Sequence, residues 1–362
     1  EIASCRVGSE MCIRDRYYSG LLKYKRTFAE VHNIDAMFGI SAEKWVNKKV
    51  VTAREKFEDA GIYDLNLATG TQGNGGGKTH NGTYSYIARL NYNYAEKYMV
   101  ELMGRRDGNS KFAPGYRFKS FGSVSLGWAF SEEQFVEFLK PVLSFGKLRL
   151  SYGSSGNDVG LGDYDYVSTV SLGTAGFGTI PANQVSSGFG GLISYDRTWE
   201  KVSQKNFGID LNFFDNRLKA TFDYFIKDNT GMLVNVTYPG VLGGKAPKTN
   251  SGHLNVKGWE FTIGWRDQIK DFSYYANFNI GDTKSLLKEM EGADSYGAGW
   301  NAAVNGYPLN SYFLYRTDGY FKDQAEVDRY YALYGEGKED LTGVGAGSAS
   351  RLRPGDTKRL DL

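Results

Sequence analysis

Hydrophobic and polar residues alternate one by one along much of this chain. Between Thr83 and Tyr94 every even-numbered residue is aromatic or aliphatic, and every residue between them except Ile87 is polar. A period of two over this length predicts a β-strand. Tyrosines stand at both ends of the apolar face and aliphatic residues in its middle. This order is typical of a lipid-facing strand with an aromatic girdle at each membrane interface.

The same alternation recurs in five further segments, at residues 98–105, 207–213, 218–224, 259–265 and 272–280. Each segment predicts a strand with one apolar and one polar face. A soluble β-sandwich or propeller alternates in the same way, so alternation alone leaves that alternative open.

The lengths of the connections separate these alternatives. Short connections are expected at 30–33, 95–97, 131–144 (as a short helix), 215–216 and 267–271. Longer loops are expected between them, at about 47–82, 107–117, 154–198, 230–254 and 284–310. Outer-membrane barrels alternate in this way, with short periplasmic turns and long extracellular loops. We therefore predict an all-β fold, an antiparallel transmembrane β-barrel.

About ten or eleven strands can be counted. Because an open sheet edge in lipid would leave backbone groups unpaired, we expect these strands to be part of a larger closed barrel. We also expect Ala88, Leu90, Ile209, Leu211 and Ile263 to face lipid. The loops at 154–198 and 230–254 should lie together at the extracellular mouth, because the hairpin between them returns the chain to the same side.

Composition agrees with this class of fold. Aromatic residues make up 15% of the 362 residues, and 46 glycines stand against 7 prolines. Mean hydropathy is −0.44, and no apolar run is long enough for a transmembrane helix. A membrane barrel remains compatible, because its strands are apolar only at alternate positions. The net charge of +2 gives no basis for a nucleic-acid partner.

The first sixteen residues differ from the rest of the chain. They contain both cysteines, Cys5 and Cys12, and show no strand alternation, helical stripe or signal-peptide core. The stretch resembles translated sequencing-adapter read-through. We expect residues 1–16 to be a non-native leader, with the barrel domain at 17–362, and an ordinary disordered leader is the alternative. The leader should show no regular pairing with the strand near Leu21.

Candidate chemistry is sparse. The segment Gly73–Thr79, GNGGGKT, lacks the first glycine of a phosphate-binding loop and is followed by a strand, so a flexible loop is expected. His32, His80 and His253 lie far apart, in a turn and in loops, without metal-ligand spacing. We therefore predict no catalytic, cofactor-binding or metal-binding residues, and no enzyme activity.

Two loop features remain. Asp158, Asp163 and Asp165 could bind calcium, although without Ca-loop spacing a solvated acidic loop is the favoured interpretation. Loop aromatics could stack on sugars or apolar peptide side chains, or could hold the loops to one another or to a partner. These candidate ligand-binding residues are Tyr164, Tyr166, Phe177, Phe189, Tyr195, Tyr238 and Tyr296.

Six blocks in order along the chain, at 105–135, 147–157, 199–233, 250–265, 306–328 and 353–358, carry a family resemblance. The first contains an Arg-Asp-Gly turn, a Phe-X-Pro-X-X-Arg tip, a Gly-Trp pair and a Ser-Glu-Glu triplet. Together they resemble the SusC/RagA family of TonB-dependent outer-membrane transporters. The resemblance covers nearly everything after Tyr17.

The resemblance implies a plugged barrel of about 22 strands in the outer membrane of a Gram-negative, Bacteroidetes-like cell. It implies import of glycans, oligopeptides or other nutrients, driven by the TonB complex, with a SusD-like surface lipoprotein as a lid. By this resemblance, we expect the plug, the TonB-contacting segment and the last strands to lie outside this sequence. The family supplies no catalytic residues. The alternatives are a passive porin or adhesin-like barrel and a soluble carbohydrate-binding β-protein.

Overall fold

A computed structural model of the chain describes residues 9–56, 65–177, 182–189, 191–235, 241, 246–290, 295–296, 299–313, 316–334 and 352–359. The chain divides into two compact units, which are taken one at a time. The first comprises residues 1–294 and 305–308, and the second residues 295–304 and 309–362.

The first unit is built almost entirely of β-strands. Its strands are β1 (Ser9–Phe28), β2 (His32–Arg54), β3 (Gln72–Tyr94), β4 (Tyr98–Asn109), β5 (Phe118–Trp128), β6 (Leu143–Asn157), β7 (Val170–Phe177), β8 (Ala182–Phe189), β9 (Glu200–Phe213), β10 (Leu218–Asn235), β11 (Lys248–Ile269) and β12 (Phe272–Glu289). Short 3₁₀ helices lie at Leu65–Leu67, Phe130–Glu132 and Gln134–Leu139.

Ten of these strands form one antiparallel sheet. Their order is β1-β2-β3-β4-β5-β6-β9-β10-β11-β12, so neighbours in the sheet are neighbours in the chain except at one place. There, β7 and β8 pair with each other as a separate hairpin, and β6 pairs with β9. The all-β antiparallel fold predicted from the sequence is confirmed, and the ten strands of this sheet agree with the ten or eleven counted. The β7–β8 hairpin was not predicted, because it lies in the segment expected to be the 154–198 loop.

The register brings the apolar residues of successive strands onto one face. Ala88 lies opposite Phe38 on one side and Gly104 on the other, and Leu90 lies opposite Leu102. Opposed residues of an antiparallel pair project from the same face. The same holds across the other half of the sheet, where Ile209, Phe222, Phe261 and Ile280 form one cross-strand row.

The five residues predicted to face lipid all lie on this apolar face. The side chains of Ala88 and Leu90 are exposed, and those of Ile209, Leu211 and Ile263 are half-buried. None lies in a sealed core, because the buried hydrophobic residues of the described chain lie elsewhere. This placement agrees with a wall whose apolar face meets lipid, and contact with lipid itself stays a prediction.

At one end of the sheet, the short connections join consecutive strands through tight turns. Ala95 and Glu96 both have positive φ, as do Asp215 and Asn216, which is the backbone of the hairpin turns that match strand twist. The connection at 131–144 is two 3₁₀ pieces instead of the predicted helix. Glu133 interrupts it with an extended backbone (φ −86°, ψ 146°).

The strands on the other side are longer than the alternation predicted. The loop expected at about 47–82 is only the stretch between Arg54 and Gln72, and Gly73–Thr79 lies inside β3. The flexible-loop prediction for this segment is therefore wrong. Its glycines carry no side chain to alternate, yet their backbone groups pair with β2 from Asn47 to Ala53 like those of any other residue.

The leader also takes part in the sheet. Ser9–Arg16 pairs residue by residue with Lys44–Val51 of β2, so the prediction of an unpaired leader is wrong for these residues. Backbone pairing needs no hydrophobic alternation, and the long β2 offers a ladder of unpaired backbone groups. Cys5 lies outside the described residues. The non-native origin of residues 1–16 stays a prediction.

The second unit is small. It contains β13 (Ser295–Tyr296), β14 (Gly299–Val304), β15 (Ser311–Phe313), β16 (Thr317–Tyr320), β17 (Thr357–Arg359) and one helix, α1 (Gln324–Tyr334). Its buried cluster consists of Phe321, Val327 and Leu352. Over the described residues of the whole chain, no helix has the length and apolar character needed to cross a membrane.

Candidate functional site

The polar face of the sheet carries a three-strand ion-pair cluster. Arg149 of β6 contacts Asp210 of β9 through Nε (2.8 Å to Oδ2) and Asp223 of β10 through Nη2 (2.9 Å to Oδ2). Gly208 lies between them in the wall, opposite both Arg149 and Asp223. The cluster fixes three strands together through a guanidinium that two carboxylates share.

The same face forms a shallow groove of about 490 Å³ on the β1–β6 side. Its lining includes Asp35, Asn91, Glu101, Ser125 and Arg149. These side chains alternate with the apolar ones described above, so a barrel built from this sheet has a polar interior. A polar interior is a property of barrels that pass water-soluble solutes.

At the end of the sheet opposite the tight turns, the connections are joined by a buried aromatic cluster. Phe112, Phe121, Leu161 and Trp199 are each at most 8% exposed and pack together, with Leu233 against them. The rings of Phe112 and Trp199 lie 5.2 Å apart. The cluster ties the β4–β5 and β6–β9 connections to β5 and β10.

Hydrogen bonds frame this cluster. Trp199 Nε1 donates to the Arg117 carbonyl (2.8 Å), and Lys119 Nζ donates to the Trp199 carbonyl (2.8 Å). The buried carboxylate of Glu200 accepts from Asn157 Nδ2 (2.8 Å) and from the backbone N–H of Leu233 (2.7 Å). At this end of the sheet, which we call the mouth, hydrogen bonds therefore hold the connections to the strands.

The connection between β6 and β9 contacts the start of β11 directly. The backbone N–H of Thr198 donates to Asn250 Oδ1 (2.8 Å), and Asn250 Nδ2 donates back to the Thr198 carbonyl (2.8 Å). Lys248 Nζ donates to the Gly160 carbonyl (2.7 Å). The prediction that the 154–198 and 230–254 segments lie together is confirmed for their described residues, but 230–235 and 248–254 belong to β10 and β11 and not to a loop. Their position at the extracellular mouth stays a prediction.

A groove of about 700 Å³ opens where these connections meet. Tyr116 and Tyr195 line it and are 42% and 60% exposed. Asp196, Thr198 and Asn250 contribute polar groups. Tyr195 was predicted from the sequence. Tyr116 was missed although it lies in the longer connection after β4, because nothing in the sequence shows that it reaches the neighbouring loops.

The other predicted aromatics are distributed differently. Tyr164 hydrogen-bonds through its hydroxyl to His80 of β3, and the Tyr166 hydroxyl accepts from Arg117 Nη2 (3.4 Å). These contacts hold the loop against the strands. Three more lie within described strands whose side chains are not described, and one lies outside the described residues. The three in strands are Phe177 of β7, Phe189 of β8 and Tyr296 of β13. The one outside the described residues is Tyr238.

All three histidine placements need correction. His80 and His253 lie inside β3 and β11, not in loops, because both strands extend further than the alternation indicated. His32 begins β2 and is half-buried, with Nδ1 2.8 Å from the Tyr92 hydroxyl. A turn was expected at this residue, and its ring instead packs beside that of Tyr94 (centroids 5.0 Å apart).

The aspartates of the calcium hypothesis have separate partners. Asp158 accepts from Asn109, Asp163 from Asn81, and Asp165 from the backbone N–H of Gly162. Over the described part of the chain, no three His, Cys, Asp or Glu side chains are grouped as a metal site.

Comparison with known proteins identifies this architecture. The family model described as "TonB dependent receptor-like, beta-barrel" matches residues 13–352. The chain belongs to this family. Barrels of this TonB-dependent family are outer-membrane proteins of Gram-negative bacteria.

Several relatives are TonB-dependent receptors of Bacteroidetes. TonB-dependent receptor P39 of Formosa agariphila is 28% identical over 316 residues, covering 83% of this chain and 28% of that protein. SusC of Bacteroides thetaiotaomicron is 28% identical over 256 residues, covering 66% of this chain and 25% of SusC. The chain therefore spans roughly a quarter to a third of these relatives' length.

A solved structure shares the fold. The RagAB peptide transporter superposes with a TM-score of 0.77 at 24% identity, over 87% of this chain and 35% of that one. At this identity the likeness concerns the fold. The SusC/RagA resemblance noted from the sequence is confirmed by these relatives.

Proposed function

We propose that this TonB-dependent barrel belongs to an active importer of nutrients, glycans or oligopeptides, that works with a SusD-like surface lipoprotein. The observation that carries the proposal is the groove at the mouth. There Tyr116 and Tyr195 are exposed beside polar groups, where connections are held together by hydrogen bonds. The names of relatives add support, because one is SusC and a structural neighbour is titled a peptide transporter.

The groove has the chemistry of a capture site for water-soluble molecules. Exposed tyrosine rings stack on the faces of sugars or on apolar peptide side chains. Asp196 and Asn250 beside them can hydrogen-bond hydroxyl or amide groups. A molecule released from this groove would next meet the polar face of the sheet, with Glu101 and Arg149 on its wall.

The energy and partner roles are proposed for the full-length protein. The TonB complex would act on a plug and a TonB-contacting segment within the part of the relatives that this chain does not span. A SusD-like lipoprotein would cover the mouth and close the groove over its cargo. The proposed role is transport, with no catalytic residues.

The test of the groove uses the full-length protein. Tyr116→Ala/Tyr195→Ala should lower uptake of the cognate nutrient at least tenfold when the nutrient is scarce, because loss of two stacking rings weakens capture, each by about 1–3 kcal/mol. Phe138→Ala is the matched control, an aromatic 77% exposed at the tight-turn end of the sheet. Unchanged uptake in the double variant would contradict a capture role for the groove.

A second test removes the β7–β8 hairpin. Each of its strands pairs only with the other in the described sheet topology, so replacing residues 171–188 by two glycines should leave the ten-stranded sheet and its heat-modifiable gel migration intact. If the hairpin guides cargo to the mouth, growth on the cognate nutrient should fall. Normal growth would exclude this hairpin from transport.

A further inference from the structure

Three lysines form a row across the apolar face of the sheet, near the end with the long connections. Lys205 of β9 lies opposite Ile226 of β10, Ile226 lies opposite Lys257 of β11, and Lys257 lies directly opposite Lys284 of β12. The lysine row, Lys205, Lys257 and Lys284, therefore projects from the apolar face. All three side chains are exposed.

The lysine row lies next to a row of aromatic residues. Two residues further toward the tight turns, Phe207, Tyr224 and Trp259 lie opposite one another on the same face. Aromatic belts of this kind mark the interface between the hydrocarbon core and the headgroups. At about 3.3 Å per residue, the lysines lie about 7 Å beyond the aromatic rings, at the level of the headgroups.

The charges of this row are not neutralised within the described protein. Like charges directly opposite each other destabilise a strand pair, and Lys257 and Lys284 are such a pair. None of the three lysines takes part in an ion pair among the described residues. Asp282 lies on the same face opposite Trp259, also without an ion pair to the row.

The nearest acid above the row is already engaged. Asp228 lies 3.2 Å from His253 Nε2 and 3.6 Å from Lys288 Nζ, and it accepts a hydrogen bond from Asn255 Nδ2 (2.9 Å). Its carboxylate is therefore shared by other groups. The lysine row is therefore available to an anion from outside the protein.

We propose that the lysine row binds the phosphate groups of outer-leaflet lipid. The inference rests on the proposed function only in its placement of the sheet in the outer membrane with the long connections outside. From β9 to β12 the row extends over about 14 Å, which is wide enough for more than one phosphate. Its level beside the aromatic belt favours lipid over a partner protein, which would dock on the loops beyond.

The experiment measures lipid binding to the full-length protein in neutral detergent. Diphosphorylated lipid A and a dephosphorylated form of the same lipid are titrated separately against wild type and Lys257→Gln/Lys284→Gln. The phosphorylated lipid should bind the double variant about 25-fold more weakly, roughly fivefold per lysine. The dephosphorylated lipid should bind both proteins equally and weakly.

Lys219→Gln/Lys227→Gln is the matched control. These lysines are equally exposed but project from the polar face of β10, opposite Asn212 and Gln204 of β9. Removing them should leave lipid affinity unchanged. Equal affinity of wild type and Lys257→Gln/Lys284→Gln, equal affinity for both lipids, or an equal loss in the control would each overturn the proposal.

Amine labelling of whole cells separates lipid from protein as the occupant. Protection of the lysine row that persists when the SusD-like lipoprotein is deleted supports lipid, and protection that disappears overturns the proposal. Nutrient uptake is measured in the same cells. Uptake by a wild-type protein that binds no phosphorylated lipid would overturn the lipid inference alone, whereas absence of the protein from the outer membrane would overturn both.

Discussion

At the scale of single residues, Gly208 allows three charged groups to meet on the polar face. A Cβ atom at this position would lie 2.6 Å from Arg149 Nη2 and 2.7 Å from Asp223 Oδ1. Both distances are shorter than van der Waals contact allows. The missing side chain is what lets Arg149 cross over β9 and reach Asp223 on the strand beyond.

Gly208→Ala should therefore displace Arg149 or Asp223 and lower the free energy of unfolding by about 1–3 kcal/mol, because a charged hydrogen bond is lost. Urea unfolding of the full-length protein in lipid vesicles measures this change. Gly104→Ala is the control, since a Cβ there meets no atom within 4 Å. An equal effect of the two substitutions would contradict the steric argument.

Arginine substitutions at two neighbouring residues of β3 compare the two faces of the sheet. Leu90→Arg should lower the free energy of unfolding in lipid by about 2–4 kcal/mol, because it places a charge on the lipid side near the middle of the bilayer. Asn91→Arg, one residue further on and facing the polar interior, should change it little. Similar losses for both variants would show that the apolar face does not meet lipid.

At the scale of elements, Glu133 organises the connection between β5 and β6. Its Oε1 accepts hydrogen bonds from the Tyr98 hydroxyl (2.6 Å) and from Trp128 Nε1 (3.3 Å). The bond from Tyr98, then that from Trp128, lowers the pKa of the Glu133 carboxyl below its ordinary value, with Lys97 adding to the effect. The carboxylate holds two aromatic side chains at the tight-turn end.

A lowered pKa in the folded state makes stability depend on pH. The contribution of Glu133 is fully present above the ordinary glutamate pKa of about 4.3 and is lost as pH falls through the lowered folded value. Glu133→Gln should therefore destabilise the protein at pH 7 and reduce the acid sensitivity of its unfolding midpoint in detergent. Glu137→Gln is the control, with a side chain 70% exposed. Equal acid sensitivity of wild type and Glu133→Gln would contradict this role.

Some elements could be predicted from the sequence and others could not, for physical reasons. The turns at 95–97 and 215–216 were predictable because alternation stops abruptly on both sides. The first half of β3 was not predictable, because Gly73–Thr79 has no side-chain pattern although its backbone pairs normally. The break between the 3₁₀ pieces at Glu133 was not predictable either, since its side chain bonds to Tyr98, 35 residues away.

At the scale of the whole molecule, the sequence predicted the sheet better than the mouth. Most of the sheet follows from alternation within single strands, whereas Ser9–Arg16 and Gly73–Thr79 pair without it. The mouth depends on contacts such as Thr198 with Asn250, whose partners are 52 residues apart. Tyr116 reaches the groove only through such contacts. Tyr164 and Tyr166 prove to hold a loop in place, and their part in ligand binding stays a prediction.

The length of β2 and β3 has a mechanical consequence. Each strand has 23 residues, whereas about 9–11 tilted residues cross a bilayer. Some 12 residues of each strand, about 40 Å of continuous hydrogen-bonded ribbon at 3.3 Å per residue, therefore extend beyond the membrane. A paired ribbon resists bending far better than a loop of equal length. With the long connections outside, as proposed, it would act as a fixed spacer that sets how closely neighbouring surface molecules can approach the cell on that side of the barrel.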